Sequence, residues 1–331
     1  MEDKDIILLL AIVMVFFATL FISKQQAVAS VSVPTIYTSA NIEGTSQREA
    51  RTAAAKVEAQ AKVEAKAKAE YQKLLVARQS KIDEELKNQR KLDDIEKSIR
   101  TFVGEDIKKI GIVYYDINSK KFISINGDKQ FVAASTIKVP INMLMYDMIQ
   151  HKKIDIDEKL KYKKSDFEGG AGMLQGTDLS KPIAIQKLSD YSIRYSDNIA
   201  INMLLRKVGN ENRYDYLEKI TGHSIEHKGN YTTPMESFKI LERLYINPDE
   251  NEYYSGLIET MKKTEYHDRI DKYIPNEIVA HKIGDYDEYV NDMAIVYNDK
   301  PYILVVFTKN VVDAHESIAQ VSKVIYEAQK K

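Results

Sequence analysis

Ser135 and Lys138 stand three residues apart in the stretch Phe131-Val-Ala-Ala-Ser-Thr-Ile-Lys-Val-Pro-Ile-Asn-Met-Leu-Met-Tyr146. A serine hydroxyl is a weak nucleophile until a neighbouring base takes its proton. A lysine amine serves as that base when burial or a nearby cation lowers its pKa. Ala133 and Ala134 precede the serine, and the apolar run Val139, Ile141, Met143, Leu144 and Met145 follows it. The pattern predicts a helix that opens at Ser135 and buries its body. Spacing i, i+3 then puts hydroxyl and amine on one face, roughly 5–6 Å apart at Cβ. The start of the helix also favours negative charge developing beside the serine. The plain alternative is a serine cap followed by a solvated lysine. Ser135 is, however, the one serine in the sequence with lysine at the third following position.

Two later stretches hold complementary chemistry. Tyr195-Ser-Asp-Asn-Ile-Ala200 falls between two predicted helices. Ser-Asp-Asn is turn-and-cap material, and Asn198 is suited to capping the second helix. In a chemical role, Ser196 shuttles a proton and Asn198 contacts a substrate amide. His281-Lys282-Ile283-Gly284 ends a predicted strand. Lys-x-Gly also occurs at Lys109 and Lys207, but only Lys282 falls late, on a strand able to line a cleft. Lys282 offers positive charge to a carboxylate. Gly284, without a Cβ, admits a substrate backbone at close range.

These residues sit in a chain of 331 residues with 48 Lys and Arg, 49 Asp and Glu, and a formal net charge of −1. That balance argues against nucleic acid or a polybasic membrane patch as partner. There is no cysteine, which excludes disulfides, thiolate chemistry and cysteine metal sites. The six histidines are scattered; His223 and His227 are four apart but read as loop, and no metal or cofactor is expected.

Ile6–Ile22 carries no charge and is just short of the ~20 apolar residues of a membrane-spanning helix. Ala27-Val28-Ala29 resembles a signal-peptidase site, but the leader Met-Glu-Asp-Lys-Asp lacks the usual positive charge. Residues 1–28 are therefore expected to form an uncleaved anchor, and 29–48 a linker rich in Ser, Thr and Val. Residues 49–100 are rich in Ala, Lys and Glu, all good helix formers. Lys56-Val-Glu-Ala-Gln-Ala and Lys62-Val-Glu-Ala-Lys-Ala form a near-repeat. An imperfect apolar stripe (Leu75, Ile82, Leu86, Leu92, Ile95, Ile99) is broken by Gln89 and Asp93, so a coiled coil is only one option. A helix of about fifty residues spans roughly 75 Å, a length suited to a stalk.

Residues 101–331 are long enough for one sizeable core. The order is a strand pair (Ile110–Asp116, Lys121–Asn126), a helical middle, three strands (Ile278–Ile283, Val290–Tyr297, Tyr302–Thr308) and a closing helix (Ala314–Ala328). Neither strand set can cover its own face, so the two must share one antiparallel sheet. The fold class is α/β, of the α+β kind: a flanked antiparallel sheet beside an all-helical lobe, with a cleft between them.

S-x-x-K, then S-D-N, then K-x-G, in this order, resembles the class A β-lactamases and penicillin-binding serine hydrolases. The resemblance covers roughly Gly104 to Lys331. It includes Ser-Asp-Asn-Ile-Ala-Ile-Asn-Met-Leu-Leu, Thr232-Thr-Pro and Arg269–Pro275. It implies a two-lobed transpeptidase-like fold in which Ser135 is acylated, Lys138 is its base or relay, and Ser196 passes a proton to the leaving nitrogen. Asn198 would orient the substrate amide, Lys282 and Gly284 would line the strand side, and the N–H groups of Ser135 and Asp285 would form an oxyanion hole. The chain departs from the family in three places. The family's E-x-x-L-N loop is replaced by the short Gly222–Tyr231 segment, with Glu226 as its carboxylate. Ile283 stands where the family has Thr or Ser. Val290-Asn-Asp-Met293 holds no arginine for a substrate carboxylate.

The expectation is a membrane-anchored serine hydrolase with its catalytic domain outside the cell. It would be acylated by β-lactams or D-Ala-D-Ala-type stem peptides and would hydrolyse β-lactams slowly. The alternatives are a penicillin-binding D,D-carboxypeptidase or transpeptidase of the cell wall, and a non-catalytic wall-binding or sensor module.

Overall fold

The computed structural model describes residues 42–330. The expected anchor lies outside them. Among the described residues no helix is long and apolar enough to cross a membrane.

Helix α1 spans Ile42–Val103, so it begins within the expected linker, ahead of Glu49. Two compact units divide at Lys87 and Asn88. In the first, Val57, Val63, Leu74, Val76 and Leu86 are exposed. The second starts ahead of the Thr101 boundary expected from the sequence. The reason is packing: Leu92, Ile95 and Ile99, at helical spacing, are buried in one of its two cores.

The second unit is built on a five-stranded antiparallel sheet. Its strands are β1 (Ile110–Asp116), β2 (Lys121–Ile125), β7 (Val279–Tyr286), β8 (Tyr289–Val296) and β9 (Tyr302–Lys309), in the order β2-β1-β9-β8-β7. The late strands thus insert beside the early pair, with Val113 opposite Val305 and Lys282 opposite Met293. Alternation sorts the side chains. Ile110, Ile112, Tyr114, Leu304 and Val306 face a core closed by the end of α1 and by the C-terminal helix (Ala314–Gln329) through Ile318, Val321 and Ile325. Val113, Ile303, Val305 and Phe307 face the other core, shared with the helical layer.

That layer contains α2 (Lys138–Gln150), α3 (Ile185–Arg194), α4 (Asn198–Val208), α5 (Asn210–Thr221), α6 (Pro234–Ile246) and α7 (Tyr254–Lys262); the C-terminal helix is α8. Helix α6 opens as Thr232-Thr-Pro suggests: Thr233 and Glu236 form a capping box, with Pro234 in the first turn. Four two-residue strands have no signature in sequence periodicity: β3 (Phe131–Val132) pairs with β6 (Tyr231–Thr232), and β4 (Lys159–Leu160) with β5 (Ile183–Ala184). The first of these pairs braces the backbone just ahead of Ser135, where Ala133 N–H also donates to Asn230 O at 2.8 Å.

Candidate active site

Ser135 does not open the α-helix itself. It lies in a 3₁₀ turn, Ala134–Ile137, and α2 starts only at Lys138. In a 3₁₀ turn residues i and i+3 eclipse, which aligns Ser135 with Lys138 more closely than α-helical spacing does. Ala134 has φ of 50°, a strained value for a residue with a Cβ, and Ser196 has φ of 52°. Both strained positions fall at the cluster of polar groups, one preceding the first serine and one at the second.

Lys138 is the hub. Its Nζ is 2.9 Å from Ser135 Oγ, 3.2 Å from Ser196 Oγ, 2.6 Å from Ser196 O and 2.7 Å from Asn198 Oδ1. An ammonium has three protons for these four oxygens. A neutral amine can donate to Ser196 O and Asn198 Oδ1, which accept only, and offer its lone pair to a serine O–H. Burial lowers the Lys138 pKa to about 8, against the opposing pull of Glu168 and Asp197. Lys282, fully buried, reaches the same hydroxyl from the sheet, with Nζ 3.0 Å from Ser196 Oγ. Burial and then repulsion from Lys138 hold its pKa well below the usual lysine range. Ser196 Oγ therefore bridges two buried amines, an arrangement able to carry a proton between them.

Asp197, not Asn198, caps α4: its carboxylate accepts from Ala200 N at 2.8 Å and from Leu174 N at 2.7 Å. This frees Asn198 to hold Lys138 with Oδ1 and to donate to Gly169 O at 2.9 Å through Nδ2. Gly284 also has a purpose other than the expected approach of substrate. A Cβ there would stand 2.7 Å from Ala133 O and 3.1 Å from Ser135 N, so its bare Cα lets β7 press against the turn that carries Ser135. Asp285, the next residue, lines the cavity; its carboxylate pairs with Arg269 at 2.6 Å.

Most of these groups surround a cavity of about 820 Å³, a size fitting a small-molecule site, but Lys282 and Gly284, expected to line its strand side, stand behind the lining, which Ile283 and Asp285 supply instead. Ser135, Lys138, Ser196, Asn198, Ile283 and Asp285 are among its lining residues. Glu226 is exposed and lies outside that lining. Besides Asp285, which Arg269 holds, the carboxylate that lines it is Glu168, missed at the sequence level; its Oε2 accepts from Asn202 at 2.9 Å. The run Glu168-Gly-Gly-Ala-Gly172 held the signal. Gly172 has φ of 132°, and a Cβ on it would lie 2.4 Å from the Asp197 carboxylate. Two further residues went unseen. Arg269 sends Nη1 to Asn291 O at 2.8 Å, behind the strand end. Asn291 in turn donates to Val132 O at 2.8 Å and ties β8 to the segment before Ser135.

The model of the β-lactamase enzyme family matches residues 94–329. The chain belongs to the β-lactamase enzyme family. It is a class A β-lactamase-like serine hydrolase, an acyl-transfer enzyme. Among its relatives, β-lactamase BRO-1 of Moraxella catarrhalis is 28% identical over 247 residues, covering 66% of this chain and 79% of that protein. β-Lactamase SME-1 of Serratia marcescens is 25% identical over 274 residues, covering 72% and 90%. Among solved structures, PBP-A superposes with a TM-score of 0.66 at 22% identity, covering 72% of this chain and 97% of PBP-A. An ancestral class A β-lactamase gives 0.64 at 18% identity, covering 71% and 99%. These structural likenesses establish the shared fold: an antiparallel sheet flanked by helices, with a helical layer beside it.

Proposed function

We propose that this enzyme opens β-lactam rings by acylation of Ser135 and releases the product slowly. Ser135 Oγ attacks the lactam carbonyl carbon as its proton passes to neutral Lys138. The C–N bond then breaks, and the nitrogen receives a proton relayed through Ser196 Oγ. Lys282, on the far side of that hydroxyl, holds it at 3.0 Å and is the second station of the relay. The N–H groups of Ser135 and Asp285 receive the developing oxyanion, and Asn198 orients both Lys138 and the substrate amide. The observation that carries this proposal is the single amine of Lys138 within 3.2 Å of both serine hydroxyls. A related β-lactamase-fold structure, an L158E mutant of PBP-A, is an acyl-enzyme complex with penicillin G; it supports the same bond being made here. Slow release follows from the sequence, which has no E-x-x-L-N loop, and from Glu226 lying off the cavity.

Residues 1–28 are proposed to anchor the chain in the cell membrane, with the helix through residues 49–100 acting as a stalk and the hydrolase outside. A D-Ala-D-Ala-type stem peptide presents the same carbonyl and carboxylate as a β-lactam and is the physiological substrate class this site fits.

The test is incubation with a fluorescent penicillin, followed by denaturing electrophoresis and intact mass. A stable adduct on wild type, absent from S135A, is expected, with a chromogenic cephalosporin turned over slowly. No adduct and no turnover would remove the acylation mechanism, and rapid turnover would remove the slow-release part of it.

A further inference from the structure

A second cluster of polar side chains lies behind β7, outside the acylation cavity. His281, immediately before Lys282, is 1% exposed. Its Nδ1 is 3.0 and 3.1 Å from the two oxygens of Asp292, itself fully buried and held by Ile270 N–H at 3.1 Å. The other ring nitrogen, Nε2, points to Asp271, 3.3 Å from Oδ2, yet makes no aligned hydrogen bond. Asp271 Oδ1 is also buried without a partner. His267 completes the group with Nδ1 at 2.5 Å from Asp271 Oδ2. One ligand atom from each of His267, Asp271 and His281 lies within 4.8 Å of the others.

We propose that His267, Asp271 and His281 bind a zinc-class divalent cation. Buried polar atoms in native proteins almost always have partners, and here Asp271 Oδ1 has none, while His281 Nε2 meets Asp271 Oδ2 only as a 3.3 Å ion pair without hydrogen-bond alignment. Two ligands at 2.0–2.1 Å from a tetrahedral ion stand roughly 3.3–3.4 Å apart, which is the separation of His281 Nε2 and Asp271 Oδ2; the exposed His267, now 2.5 Å from that oxygen, has to draw back by roughly 1 Å to take its place. Two imidazoles and a carboxylate suit zinc, with a fourth position left for water. Asp292 fits as the outer partner: a carboxylate on Nδ1–H fixes the ring and leaves the Nε2 lone pair for the metal. His267 is exposed, so an ion can enter from solvent.

The site would join the loop ahead of β7 to the strand itself. His267 and Asp271 flank Arg269, whose guanidinium reaches Asp285 and Asn291 O at the cavity edge. The bound ion would hold that loop against the strand carrying Lys282.

The experiment titrates zinc chloride into the full chain, first stripped with chelator, by calorimetry and thermal melting. One ion per chain, a higher melting temperature with zinc, and zinc-edge absorption showing two imidazoles are expected. H267A, at an exposed position, should keep the zinc-free melting temperature and weaken binding by at least about a hundredfold. D292N should weaken it by roughly 10–100-fold. H227A serves as control, because Asp215, Glu218 and His227 form another cluster on the surface. No binding, binding unchanged in H267A, or binding lost in H227A would each overturn the proposal.

Discussion

Two lysines meet at Ser196 beside the cavity, Lys138 from the helical side and Lys282 from behind the sheet side, and the two sides are built by opposite means. On the helical side Lys138, Ser135, Ser196 and Asn198 come from one 3₁₀ turn and the starts of two helices, and every polar atom of Asn198 is engaged. On the sheet side Lys282 sits on β7, an edge strand, backed by groups from a preceding loop and from β8. The charges differ as well. Burial depresses Lys138 to about 8, while Glu168 and Asp197 pull upward. Lys282 is depressed by burial and then by Lys138 itself. The pair therefore avoids two adjacent charges, and the amine that touches Ser135 titrates near neutrality. A base poised there meets the requirement of proton abstraction at physiological pH.

Removing the hub breaks this division most severely. K138M keeps the length and apolar stem of the side chain but leaves Ser135 without a base. Acylation by a fluorescent penicillin should fall by about 10²–10⁴-fold, the usual contribution of general base catalysis. A loss below tenfold would mean that Lys282, acting through Ser196, abstracts the proton, and the two walls would exchange roles. In wild type the acylation rate should rise with pH through about 8, because only the neutral amine accepts a proton and its fraction grows as pH increases. Stopped-flow acylation across pH 6–10 checks this; a flat profile would contradict Lys138 as base.

The next effect tests how the walls are fitted together. G284A places a methyl group 2.7 Å from Ala133 O, a backbone atom that cannot rotate away. Strand β7 must then lift from the Ser135 turn. A displacement of that order costs about 10²-fold in rate when the reacting groups are aligned this closely. The melting temperature should fall too, as for an overpacked core position at about 1–3 kcal/mol. A variant with wild-type acylation would show that the turn keeps its geometry without the strand behind it.

The same contrast explains what was legible in the sequence. The helical wall could be read because its residues are near in sequence: Ser135 and Lys138 are one turn apart, and Ser-Asp-Asn announces a helix start. Even there Asn198 looks as suited to the cap as its neighbour, whereas Asp197 makes the hydrogen bonds. A turn triplet does not say which of its oxygens will face the backbone. The shared antiparallel sheet followed from apolar periodicity and from the need to cover two sets of strands; its strand order, set by long-range pairing, did not. The sheet wall was legible only at Lys282, Gly284 and Asp285. Arg269 reads as a surface residue in a polar loop, yet it is 2% exposed because Asp285 and a β8 carbonyl accept its protons. Leu92, Ile95 and Ile99 continued a stripe whose earlier members are exposed, so nothing local separated the packed turns from the solvated ones.

The smallest effect concerns Glu168, which the helical wall has and the sheet wall lacks. Its carboxylate lines the cavity and raises the proton affinity of Lys138 against the effect of burial. E168Q keeps the shape and the contact with Asn202 but removes the charge. With that pull gone, burial prevails further, and the midpoint of the acylation profile should move to lower pH by up to about one unit. At pH 7 more of Lys138 is then neutral, so acylation should be unchanged or slightly faster. Loss of the adduct signal by deacylation distinguishes a second outcome. Should Glu168 activate the hydrolytic water, E168Q would leave the acyl-enzyme on the protein longer than in wild type. A shift to higher pH would contradict both, since it would require the carboxylate to disfavour the protonated amine beside it.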